Sequence, residues 1–186
     1  MNLKPLLKRQ KLRVDPHGHC ESLWDDSRYE IHLHKTTKYT IDGKICEVNI
    51  YVPLNRANKV RCVEGTGKGR CERRIPIPKQ LEKEIQKAFT NDVIRTQFVE
   101  ELRRELRNYP SADGEEKQIR AALQRIGHAF GINTLEESAI IEFYQSKDKS
   151  YNMIVKDDNE FYKLTSNKEG IELQDWEYHQ RGIIIN

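Results

Sequence analysis

From Tyr29 onward apolar and polar residues alternate, with Tyr29, Ile31 and Leu33 set between Glu30, His32, His34 and Thr36. A period of two puts the apolar set on one face of a β-strand and the polar set on the other. Residues 39–41 and 45–52 then flank Asp42-Gly43-Lys44, a turn in which glycine supplies a positive φ, and the pattern predicts a hairpin. A second hairpin is predicted from residues 59–64 and 70–75 around Gly65-Thr66-Gly67-Lys68-Gly69, whose glycines leave a tip poor in side chains. With Thr66-Gly67 at the turn centre, Cys62 is expected directly opposite Cys71.

Beyond Ile75-Pro76-Ile77-Pro78 the period lengthens to that of a helix. Leu81, Ile85 and Phe89 mark a short amphipathic helix over 79–89. Thr90-Asn91-Asp92 supplies a cap for a longer one reaching Tyr109, with a stripe of Ile94, Phe98, Leu102 and Leu106 widened by Val93 and Val99. A third helix over 115–130 is expected to bury Ile119, Ala122, Leu123, Ile126 and Phe130, with Gly131 closing it. Thr134-Leu135-Glu136-Glu137 reads as a capping box opening a fourth helix to about Gln145. Residues 151–155 and 160–164 flank Lys156-Asp157-Asp158-Asn159 as a third hairpin, and 171–178 and 182–185 add short strands.

Strands, then helices, then strands predict an α+β fold with N-terminal antiparallel β-hairpins, central amphipathic helices and a C-terminal β-hairpin, rather than alternating βαβ units. The chain divides into a basic β-rich half with an N-terminal arm, 1–78, and an acidic half of helices and a β-hairpin, 79–186, expected to form one compact unit. Leu3, Leu6 and Leu7 stand at helical spacing, so residues 1–14 form either a mobile basic arm or a small amphipathic element docked on the core. Whether the basic strands and the tail strands share one sheet is left open by the pattern.

Composition bounds the class. With 37% apolar residues and 8 Tyr, 5 Phe and 2 Trp among 186, the chain can build a core, which argues against wholesale disorder. No apolar run approaches the roughly 20 residues of a membrane span, and residues 1–10 lack the hydrophobic stretch of a secretory leader. Four cysteines, at 20, 46, 62 and 71, are too loosely spaced for a disulfide framework. A cytoplasmic protein with no membrane partner is expected.

The distribution of charge is more informative than its sum of +3. Residues 1–79 hold 17 Lys+Arg against 9 Asp+Glu, whereas residues 80–186 hold 15 against 20. Clustered cations of this kind suit a polyanion, because phosphate contacts release counterions where positive charge is concentrated. The residues expected to contact DNA or RNA are Lys8, Arg9, Lys11 and Arg13 in the arm, and Arg56, Lys59, Arg61, Lys68, Arg70, Arg73 and Arg74 in the second hairpin. That hairpin carries only Glu64 and Glu72 in opposition, and a two-stranded ribbon with arginines can enter a major groove. Its glycine loop is not a Walker loop, since it joins two strands and lacks a hydroxyl after Lys68. The alternative is a solubilising hairpin whose arginines pair with the acidic helices.

A second group of residues has ligand chemistry. His17, His19 and Cys20 fall in one loop, His32 and His34 on one strand face, and Cys62 and Cys71 flank the glycine hairpin; four of these could make a tetrahedral zinc site. No Cys-x2-Cys or His-x3-His chelating pair is present, and the competing readings are small buried cysteines and a solvent-facing strand surface for His32 and His34. The run Val14-Asp15-Pro16-His17-Gly18-His19-Cys20 resembles the first metal-binding motif of the polymerase-and-histidinol-phosphatase and amidohydrolase families. That resemblance implies a divalent metal that activates water, held by His17 and His19 at a strand end within a barrel longer than this chain. No strand is apparent before Asp15, and no second His-rich motif follows.

These observations lead to three expectations. The first is a non-catalytic protein that binds nucleic acid or a nucleoprotein complex through its basic N-terminal half, with the acidic half open to a protein partner. The second is a protein-interaction module or inhibitor of a nucleic-acid-binding complex. The third is a metal-dependent hydrolase or nuclease using the His/Cys cluster. No cofactor is expected, a zinc ion being the one the residues could hold.

Overall fold

The computed structural model of the chain describes residues 1–8, 10–16, 29–41, 43–54, 61–64, 72–73, 79–110, 115–167 and 170–177. The N-terminal strands are β1 (Lys11–Pro16), β2 (Tyr29–Ile41), β3 (Lys44–Pro53), β4 (Arg61–Glu64) and β5 (Glu72–Arg73). Helices α1 (Lys79–Ala88), α2 (Asp92–Arg107) and α3 (Glu116–Ala129) follow. Strands β6 (Ile140–Gln145), β7 (Tyr151–Asp157), β8 (Glu160–Asn167) and β9 (Gly170–Trp176) close the described chain, giving an α+β fold.

All nine strands lie in one antiparallel sheet in the order β5-β4-β3-β2-β1-β9-β8-β7-β6. Each half of the chain contributes a meander, and the two meet where β1 pairs with β9, Leu12 opposite Leu173 and Val14 opposite Ile171. Because β5 and β6 are the two edges, the segment joining them must cross the whole sheet, and the three helices lie on that crossing. They cover the face that carries Leu12, Val14, Ile31, Leu33, Leu164 and Leu173, forming one apolar core with Phe98, Leu102, Ile119, Leu123 and Ile126.

Local chemistry accounts for the helices. The Asn91 side chain accepts the Ile94 backbone N–H at 2.9 Å and starts α2, whose Phe98, Val99, Leu102 and Leu106 are buried. Val93, read as part of the stripe, is exposed instead. After α3, Gly131 takes a positive φ of 92° while the Ile132 N–H returns to the Gly127 carbonyl at 3.0 Å. Leu3, Leu6 and Leu7 flank and fill a 3-10 turn (Lys4–Leu7) and are fully buried. The opening segment is therefore docked, and Lys11 and Arg13 belong to β1 rather than to a mobile arm.

Three further expectations are corrected. The predicted fourth helix is a 3-10 turn (Glu137–Ala139) followed by β6. Its supposed capping residues are occupied by α3: the Thr134 hydroxyl donates to the Gln124 carbonyl, and Glu137 accepts from Arg120 at 2.8 Å. In the second hairpin Cys62 is registered with Arg73, not Cys71, because Val63 pairs with Glu72. A strand does precede Asp15-Pro16, namely β1, but it lies inside an antiparallel sheet rather than a barrel of βα units.

Candidate functional site

Cross-strand partners share a sheet face, so the register fixes what lies opposite the helical layer. One row runs Tyr51 (β3), His34 (β2), Lys11 (β1), Gln174 (β9) and Lys163 (β8). The adjacent row runs Pro53, His32, Arg13, Glu172 and Thr165 through the same strands. Two groups of residues that the sequence separates, the basic Lys11 and Arg13 and the histidines of β2, are thereby brought together. Lys11 stands beside His34 and Arg13 beside His32.

Electrostatics tie the cluster. Lys11 Nζ donates to both carboxylate oxygens of Glu172 at 3.1 Å, and Arg13 Nε lies 3.5 Å from the same carboxylate. These side chains are about a fifth exposed, so one anion serves two cations in a partly desolvated setting.

The histidines are buried, with His32 1% and His34 7% exposed, which corrects the expectation of a solvent-facing surface. Alternation gave their face correctly, but Tyr51 covers them: its ring stacks on His34 at 4.7 Å and meets His32 edge-on at 4.9 Å. His34 Nε2–H donates to Asn49 Oδ1 at 3.0 Å, and the Thr36 hydroxyl donates to the same oxygen at 2.8 Å. Nδ1 of His34 is buried without a hydrogen bond among the described residues. Burial holds the His34 pKa below its ordinary value; the Asn49 bond partly offsets this, while Lys11 and Arg13 add to it. The neutral imidazole is thereby favoured over the charged one.

The other anticipated residues divide as follows. Lys8 is exposed at the end of the 3-10 turn. Arg61, Cys62 and Arg73 are placed by backbone register alone, in β4 and β5. Arg9, His17, His19, Cys20, Arg56, Lys59, Lys68, Arg70, Cys71 and Arg74 lie outside the described residues. Among the described residues no group of three or more His, Cys, Asp or Glu is arranged to hold a metal ion, and no helix is long and apolar enough to cross a membrane.

Sequence reasoning missed Tyr51, Asn49, Glu172 and Lys163. The first two were accessible, since pairing Ile41 with Lys44 places His34 opposite Tyr51. The others depend on the pairing of β1 with β9, which no local pattern signals.

Lys163 Nζ sits 4.2 Å from the Trp176 ring centroid, and Trp176 is registered opposite Phe161 on this same face. Comparison of the chain with protein-family models, with curated proteins and with solved structures finds no match.

Proposed function

We propose that this protein binds nucleic acid, alone or within a nucleoprotein complex, through its basic N-terminal half and without catalysing a reaction. The observation that carries the reading is the position of Lys11 and Arg13 on the helix-free sheet face, beside His32, His34 and the half-buried Tyr51. Cations on a sheet beside a partly exposed tyrosine ring offer phosphates a charge and a base one ring to meet. Exposed Lys8 at the start of β1 and the excess of Lys and Arg over residues 1–79 extend the same charge. Arg56, Lys59, Arg61, Lys68, Arg70, Arg73 and Arg74 belong to this proposal by sequence position.

Glu172 gives the site a built-in competitor. A phosphate approaching Lys11 and Arg13 must share them with this carboxylate, which keeps the cluster ordered in the absence of ligand. The acidic half, 79–186, remains available to a protein partner.

The test is fluorescence-anisotropy binding to labelled single- and double-stranded DNA and RNA across a salt titration. Affinity that falls steeply and linearly on a log–log plot supports the reading and counts the phosphates neutralised. Absence of binding at low salt by protein shown to be folded would overturn it.

A further inference from the structure

Of the two strands that end the sheet, only β6 is long enough to carry a partner. Among the described residues β5 has two residues, whereas β6 runs Ile140–Gln145 and pairs with β7 alone. An edge strand presents N–H and C=O groups that no ladder takes up, and proteins usually blunt such an edge with lysine, proline or a bulge. The ladder of β6 is irregular between Ile140 and Glu142, but the run Glu142-Phe143-Tyr144-Gln145 beyond it holds neither lysine nor proline.

The edge is also apolar. Six large apolar side chains are exposed among the described residues, and three of them, Leu135, Ile141 and Tyr144, gather within residues 135–144. Ile141 is 40% exposed and Tyr144 39%. Phe143, registered with the core residue Met153 on the helix-covered face, is only partly buried. Its ring stacks on Tyr151 at 5.9 Å, and the Arg120 guanidinium lies 5.8 Å from its centre. The apolar layer thus reaches the last strand without being closed off there.

Charge selects what can lie beside this edge. Glu136 and Glu137 precede β6, Lys147 and Lys149 follow it, and all four are exposed. Counting Arg120, which pairs with Glu137, and Asp148 between the lysines, the two ends keep opposite sign. A second β6 laid antiparallel about a two-fold axis sets the acidic end of each edge against the basic end of the other, so the edge complements itself. In such a pairing one residue faces its own copy. Centring it on Glu142 would oppose two carboxylates, which is unfavourable. Centring it on Phe143 sets ring beside ring in the core-facing layer and puts Glu142 opposite Tyr144.

We propose that this edge pairs with a second copy of the chain, β6 against antiparallel β6 with Phe143 opposite Phe143, so that two sheets become one. The proposal stands apart from the nucleic-acid reading and concerns the opposite end of the sheet from the basic hairpin. A strand of six residues buries less than the roughly 1,200 Å² at which standard interfaces begin, so the dimer is weak and dissociates at micromolar concentrations.

Sedimentation equilibrium without nucleic acid tests it. The weight-average mass should rise with concentration from that of one chain towards that of two, while hydrogen exchange slows at the β6 amides. Tyr144→Glu sets like charges opposite each other at both Glu142–Tyr144 positions and should weaken association about tenfold. Adding Glu142→Lys turns each repelling pair into an attracting one and should restore association, with circular dichroism confirming each variant folded. A single chain at every concentration up to the millimolar range would overturn the proposal. So would a dimer that Tyr144→Glu leaves unchanged, or one that forms with no slowing of exchange in β6. Association weakened by Tyr144→Glu and not restored by Glu142→Lys would overturn the Phe143-centred pairing.

Discussion

Lys11 and Glu172 join the first and last described strands, the ammonium donating to both carboxylate oxygens at 3.1 Å across 161 residues of sequence. The pair sits where the two meanders meet, and the Arg13 guanidinium shares the same anion. Under the proposed reading, stability and polyanion affinity are set against each other at this position.

Replacing Glu172 with Gln keeps the shape and removes the charge. Partly exposed ion pairs contribute little, so the variant should lose about 1 kcal/mol in urea unfolding. Freed of their counter-charge, Lys11 and Arg13 should bind a polyanion severalfold more tightly, with a steeper salt dependence. Weaker binding by a folded Glu172→Gln variant would show that the carboxylate positions the cations rather than competing for them.

His34 predicts a pH dependence. Its folded pKa lies below the ordinary value of 6.5, so between the two the unfolded chain binds more protons than the folded one. Stability from this group is complete above about 6.5 and is lost as pH falls through that value towards the depressed folded pKa. Protonation would place an unpartnered N–H at the buried Nδ1. The denaturation midpoint should therefore fall on acidification from about pH 7.5 to 5, and His34→Gln should remove part of that slope. An identical slope in the variant would assign the effect to other groups.

Gly127 marks where α3 touches the segment that replaced the predicted fourth helix. A Cβ there would collide with Thr134 Cγ2 and crowd the Leu164 side chain at 3.2 Å. Gly127→Ala should destabilise the fold by about 1–3 kcal/mol by overpacking, despite the higher helix propensity of alanine. Thermal unfolding checks this, and a stabilised variant would contradict the packing described.

These residues also show how far the sequence is legible. Helices α2 and α3 follow from the spacing of Phe98, Leu102, Leu106, Ile119, Leu123 and Ile126, because one buried face of a helix leaves a local imprint. The β7–β8 hairpin follows from its turn residues in the same way. Thr134 and Glu137 mislead because the capping pattern is local while their actual partners, Gln124 and Arg120, lie on another element. The Ile, Phe and Tyr of β6 suited a strand, and that competing preference prevailed once α3 had taken the caps. For the candidate site, alternation gives the face on which His32 and His34 lie, but their burial requires Tyr51. The link to Glu172 and Lys163 requires the β1–β9 pairing, a long-range contact that no local period encodes.

The most direct test of the central claim is the salt dependence of binding by a Lys11→Gln/Arg13→Gln double variant, measured by anisotropy on a single-stranded oligomer with circular dichroism confirming the fold. Each phosphate contact on a single strand contributes about 0.7 to the log–log slope, so the account predicts a slope shallower by about 1.4 and weaker binding at low salt. A folded double variant with the slope and affinity of the unaltered protein would contradict it, because the helix-free face of β1 would then not be where the polyanion is held.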